Sequence, residues 1–195
     1  EPMLNHVFSD DEIADDQLRM IFTCCHPSVS SDSQIALALK TLCGFSITEI
    51  AKSYLTTNEN INKRLVRARA DIKKAKIPFE VPSGNELEER LGSVLETIYL
   101  LFNEGYNSSS GNELIRFELC KEAIRLAEIV ASNTNILKKS KVYALLALML
   151  LNTSRFKSRV DEDDKFLDLN QQDRSKWDQE MINQGLKYLG LATLD

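Results

Sequence analysis

The chain has 195 residues, enough for one large domain or two small ones, with 43% apolar and 27% charged residues, the ordinary make-up of a folded protein. Seven glycines and four prolines argue against a turn-rich sheet architecture and favour long helices. The net charge of −5 excludes a uniformly basic nucleic-acid coat, yet residues 62–76 hold seven basic side chains and one acid, a local +6 that leaves −11 for the rest of the chain.

In chain order, helix-start patterns come first. Ser or Thr followed three residues later by Glu satisfies free amides at a helix N-terminus, and the pattern occurs at Ser9…Glu12, Ser46…Glu49, Thr56…Glu59 and Ser83…Glu86. Four short helices are predicted over 11–25, ended by His26-Pro27, 31–43, stopped by Gly44, 47–55 and 57–76. Prolines 78 and 82 then force extended geometry, so a linker over 78–85 separates a first domain, 1–77, from a second, 86–195. The second is predicted to hold longer helices over 86–103, 113–132, 138–153 and 173–191, with loops at 105–112, 133–135 and 160–172. No strand-like alternation or internal repeat interrupts this, so the fold class is all-α, a four-helix domain followed by a helical bundle. Val142 to Leu151, the longest apolar run, is ten residues and reads as a core helix rather than a membrane span.

The third and fourth predicted helices, with their short connector, have the layout of a helix-turn-helix. Ile61, Leu65, Ala68 and Ile72 step by four, three and four and form one apolar stripe, faced by Ile47, Ile50, Ala51 and Leu55. The other face offers Asn58, Asn60, Asn62 and Lys63 for base edges, Val66 for a thymine methyl, and Arg67 for guanine or phosphate; Arg64 and Arg69 flank it. Lys73 and Lys74 suit phosphate, which positions a protein without carrying sequence information.

Elsewhere the residues invite structural readings. Cys24, Cys25, His26 and Cys43 lack the spacing of a zinc site, and His26 is expected to cap free carbonyls at a helix end. All four cysteines are expected as free thiols in a reducing cytoplasm. Asn103-Glu104-Gly105-Tyr106 reads as a helix end capped by Gly105, or as a polar surface for a partner. In the second such cluster Asp173 is expected to cap the last helix, Trp177 to anchor it, and Arg174 to reach Glu104. The acidic run 161–164 lacks the alternation and glycine of a calcium loop. No nucleophile–base pair or phosphate loop is present, so neither an enzyme nor a cofactor is expected.

The stretch Phe45–Lys52 followed by Ile61–Arg69, with Arg64-Leu65-Val66-Arg67-Ala68-Arg69 at its heart, resembles region 4 of the extracytoplasmic-function sigma factors. The likeness continues, through Leu18–Pro27, Ile98–Tyr106 and Gln172–Asp178, to a subgroup with a helical C-terminal extension. The resemblance implies a monomer whose partners are promoter double-stranded DNA and core RNA polymerase. Asn62, Lys63 and Arg67 would meet bases of the −35 element, and Thr48, Arg64 and Arg69 would meet its backbone or flank the contacts. It also implies a preceding region, missing here, that the extension could contact; the chain's opening at Glu1-Pro2 without methionine and its close on an apolar-periodic stretch read as the ends of a fragment. Three positions depart from the family pattern: Leu55 stands where glycine often opens the turn, Thr56 where an apolar residue is usual, and Asn62 where a basic residue is common. The competing expectations are a dimeric or ligand-sensing helix-turn-helix regulator and a helical interaction scaffold that binds no DNA.

Overall fold

A computed structural model describes residues 10–82, 84–107, 115–161 and 165–194, the side chains of 10–15 and 18 aside. The described residues are helical, with a single isolated antiparallel bridge between Val160 and Phe166 and no strand. The all-α class therefore holds. The chain divides into two compact units, Glu1–Thr97 and Ile98–Asp195.

The first unit contains α1 (Asp10–Cys24), α2 (Ser31–Thr41), α3 (Ile47–Ser53), α4 (Asn58–Ala75) and the start of α5 (Asn85–Tyr106). Its core gathers Ile21, Phe22, Ile35, Leu39, Phe45, Ile50, Ile61 and Leu65. α2 gives way at Gly44, whose φ of +67° suits a residue without Cβ. The turn returns the Phe45 amide to the Leu39 carbonyl at 3.1 Å and drives the Phe45 ring into the core. Of the expected capping boxes, Ser46 and Glu49 form one in full at the head of α3, the Ser46 amide donating to Glu49 at 2.8 Å and the Glu49 amide to Ser46 at 3.2 Å. α4 is capped by Thr57 rather than Thr56. Ser9 and Ser83 lie outside the described residues.

The units divide between Thr97 and Ile98, inside α5, so the proline-marked segment 78–85 falls within the first unit. Leu87, Leu91 and Val94 on the first turns of α5 are buried, and Arg90, only 5% exposed, donates to the Phe22 carbonyl at 3.4 Å. The prolines interrupt helix but do not decide which core the next helix joins; its apolar face does.

The second unit contains the rest of α5, α6 (Phe117–Ser132), α7 (Ser140–Thr153), α8 (Phe156–Arg159), a 3-10 turn at Arg174–Lys176, and α9 (Gln179–Ala192). α7 packs on α6 and, most extensively, on α9. That close crossing needs Gly185, where an added Cβ would lie 2.8 Å from Leu151 Cγ. Two capping expectations change. Gly105 lies inside α5, which runs one residue further, and what it permits is close approach of α6: a Cβ there would stand 2.7 Å from Cys120 Sγ and 2.9 Å from the Arg116 carbonyl oxygen. Asp173 caps the 3-10 turn through the Ser175 amide at 3.0 Å, whereas α9 starts later and is capped by Asp178 through the Met181 amide, also at 3.0 Å. No helix among the described residues is long and apolar enough to cross a membrane.

Candidate functional site

The basic segment folds as α4, eighteen residues whose apolar stripe is turned inward. Ile61, Leu65 and Ala68 are buried against α2 and α3, and Ile72 is half-buried. On the other side Asn58, Asn60, Asn62, Lys63, Val66, Arg67, Arg69, Lys73 and Lys74 are exposed. A 100° step per residue makes this separation inevitable once one stripe is buried. Lys63 pairs with Glu59 one turn earlier at 2.7 Å, an exposed contact worth little in stability. Arg67, Arg69, Lys73 and Lys74 make no ion pair among the described residues, which leaves four cationic side chains on one helix free for an anionic partner.

The head of α4 is tied to α3. Asn58 Nδ2 donates to Thr48 Oγ1 at 3.2 Å, Asn60 Nδ2 donates to Thr56 Oγ1 at 3.1 Å, and the Asn60 amide donates to the Thr57 hydroxyl at 3.3 Å. Thr48, Asn58 and Asn60 thus come together at the connector, as neighbours of the exposed Asn62 and Lys63. The connector itself turns on Leu55, with φ +50° and its side chain 96% exposed.

Arg64 differs from its neighbours. Its guanidinium leaves the exposed face, pairing with Asp32 of α2 at 3.2 Å and lying 5.4 Å from the centre of the Tyr54 ring, at the end of α3. Burial first, then the nearby Glu96 and Asp32 carboxylates, push the Tyr54 phenol above its ordinary range.

The helix end at Cys24-Cys25-His26 is a packed corner. Cys24 and Cys25 are buried, and burial raises both thiols above their usual range. His26 does not cap carbonyls; its Nδ1 accepts from the Ser28 amide at 3.1 Å. The carbonyls of His26 and Val29 are satisfied instead by the buried Gln34 Nε2, at 2.8 and 2.9 Å. Burial first, and the charge of Arg90 second, lower the His26 imidazole below its ordinary value. No group of three or more metal-ligating side chains occurs among the described residues.

In the second unit the two polar clusters meet through α8, a four-residue helix without a sequence signal of its own length. Tyr106 accepts from Arg155 at its hydroxyl, at 2.9 Å, and from Arg159 at its carbonyl. The Arg159 guanidinium lies 3.5 Å from the Tyr106 ring centre and 4.4 Å from that of Phe166. Ser158, between the arginines, accepts from Trp177 Nε1 at 3.0 Å. Arg155 and Trp177 line one side groove of about 330 Å³ with Leu151, Asn152, Ser154, Leu169 and Ile182. Glu104 is buried, and its ion-pair partner is Arg116 at 3.9 Å, not Arg174, which lies over Trp177 at 5.6 Å. Asn103, Asp173 and Arg174 are exposed. Sequence reasoning passed over Arg155 and Arg159; their one signal was an i, i+4 arginine pair around Phe156, immediately after the apolar α7.

These features define an all-helical protein with a basic helix displayed on one unit and an arginine–aromatic cluster in the other. The chain belongs to the family described as Family of unknown function (DUF6596), whose model matches residues 90–193, just over half of it. It is also 38% identical over 178 residues to an uncharacterized protein of Rhizobium meliloti (strain 1021), an alignment that takes in 91% of this chain. The chain spans 42% of that relative's length. No solved structure matches it.

Proposed function

We propose that the chain is the promoter-reading part of an RNA polymerase sigma factor, in which α3, the connector and α4 form a helix-turn-helix that reads the −35 element of double-stranded DNA. The observation that carries the reading is the face of α4: Asn62, Lys63, Val66, Arg67, Lys73 and Lys74 are exposed together while Ile61, Leu65 and Ala68 are buried opposite them. The amide and basic groups of the first turns suit base edges, and the later lysines suit phosphate. Core polymerase is the second partner in this reading, the cytoplasm its site of action, and the second unit a regulator in cis.

The test is a salt-dependent titration against a pool of random duplexes with recovery of the bound sequences. Enrichment of one short asymmetric motif, lost when Lys63 and Arg67 become Ala, supports the reading. A palindromic motif and a stable dimer in solution would replace it with a dimeric regulator. The groove beside Arg155 and Trp177 favours a ligand-sensing role for the second unit in that case. The cis-regulatory part fails separately: deletion of residues 98–195 from the full-length protein, which spares the first unit's share of α5, would then leave promoter output unchanged.

A further inference from the structure

Among the cationic side chains of α4, one is spent inside the protein. Arg64 has a side chain 29% exposed, whereas that of Lys63 beside it is 67% exposed. Its Nη2 pairs with Asp32, a first-turn residue of α2, at 3.2 Å, and its guanidinium carbon lies 5.4 Å from the Tyr54 ring centre. Its Nη1 and the Tyr54 hydroxyl are both buried without a hydrogen-bond partner. One guanidinium thus touches α2 and the end of α3 from the middle of α4. A planar fork held at fixed points sets a helix's rotation as well as its distance, which a flexible ammonium does not.

We propose that Arg64 is a positioning residue: it fixes the rotation of α4 against α2 and α3, and so the direction in which Asn62, Lys63 and Arg67 face the DNA, without itself contacting phosphate. The inference rests on the DNA-reading function proposed above. The neighbours on α4 explain why rotation matters. Asn62 and Lys63 sit two residues and one residue before Arg64, and Arg67 three after, so a turn of the helix about its axis swings all three together. Asp32 is the carboxylate that meets the Arg64 guanidinium, so it is needed to hold that group toward α2.

The experiment uses the full chain and duplex DNA, comparing wild type with Arg64→Gln, Arg64→Lys, Asp32→Asn and Arg67→Gln. Affinity is read over a range of salt, and base preference on a set of single-substitution duplexes. A lost phosphate contact lowers the slope of log affinity against log salt by about 0.9. Arg67→Gln is expected to lower base discrimination, the slope, or both. Arg64→Gln and Asp32→Asn are expected to leave the slope unchanged while reducing base discrimination at least about fivefold. Arg64→Lys keeps the charge and is expected to fail in the same way. Ile21→Val, a core change on α1 that loosens the same unit, controls for lost stability and should leave base preference as it was.

A slope lowered by about 0.9 in Arg64→Gln, with Asp32→Asn binding more tightly than wild type, would overturn the proposal and return Arg64 to the phosphate contacts. Unchanged base preference in both variants would overturn it equally. If Arg64→Gln does not fold, Asp32→Asn and Arg64→Lys decide the same question. No binding by wild type at low salt overturns both the DNA reading and the positioning role built on it. Binding with an intact slope but undisturbed preference overturns the positioning role alone.

Discussion

Leu55 and Gly105 show how a single backbone position constrains the chemistry allowed there. An L residue in the left-handed region carries a steric penalty of roughly 1–2 kcal/mol, and the Leu55 side chain, 96% exposed, recovers none of it by packing. Leu55→Gly is therefore expected to stabilise the protein by about 0.5–1 kcal/mol, after allowing for glycine's greater freedom in the unfolded chain. Thermal or urea unfolding of the two proteins checks it, and a loss of stability would show that Leu55 has a packing role. Gly105→Ala should go the other way. The new Cβ would meet backbone atoms of α6, which cannot step aside as a side-chain tip can. Overpacking of that kind costs about 1–3 kcal/mol, more than the roughly 1 kcal/mol gained in helix propensity. A lower urea midpoint at unchanged slope is the expected result.

At the scale of elements, short helices depend on their ends. α3 has seven residues, too few to stand alone, and the Ser46–Glu49 capping box supplies partners for two of its free amides. Ser46→Ala is expected to cost about 1 kcal/mol and, on the DNA-reading function proposed above, to weaken duplex affinity through α3 rather than through any lost contact. Unfolding midpoints measured beside duplex affinity would separate the two effects: wild-type stability with lost affinity would count against a capping role. These ends were legible because capping is local, a matter of which side chain stands three residues from which amide. α3 accordingly begins where its capping box places it, while α4 begins one residue later than expected because Thr57 and not Thr56 caps it, and α2 begins at its expected residue without a side-chain cap. α8 was not legible. Four residues carry no period, and what holds them is the buried Phe156 ring, packed 4.8 Å from Phe117 and 5.7 Å from Tyr106, both distant in sequence. The start of α9 was misplaced because Asp173 and Asp178 are equally good caps, and only the contact of the Asp178 amide with the Ser154 carbonyl, at 2.9 Å, favours the later one.

For the molecule as a whole, charge and pH tie stability to composition. The folded protein holds the His26 proton less tightly than the ordinary imidazole value of 6.5, because burial and Arg90 oppose the charged form. As pH falls through about 6.5 the unfolded chain takes up that proton first, so stability is expected to decline on acidification and to level off below the folded value. Protonation would also place a hydrogen on Nδ1, where the Ser28 amide now donates. Melting curves between neutral and mildly acid pH check this, with His26→Gln expected to flatten the decline; an unchanged slope in that variant would assign the effect to other groups.

Binary pattern and local chemistry in the sequence determined the all-α class, the burial of one stripe of α4 and the display of its basic side opposite, because helix geometry converts spacing into faces without reference to anything distant. Tertiary structure decided what spacing leaves open. Arg64 and Arg69 both flank the stripe, yet only Arg64 meets a carboxylate and a ring from other helices. The division between units falls inside α5 rather than at the prolines, because a helix joins whichever core receives its apolar side chains. Glu104 pairs with Arg116 and not Arg174, since the close approach allowed by Gly105 brings α6 against the end of α5. In each case the deciding partner lies far along the chain, and proximity in space is fixed by packing, which no local pattern records.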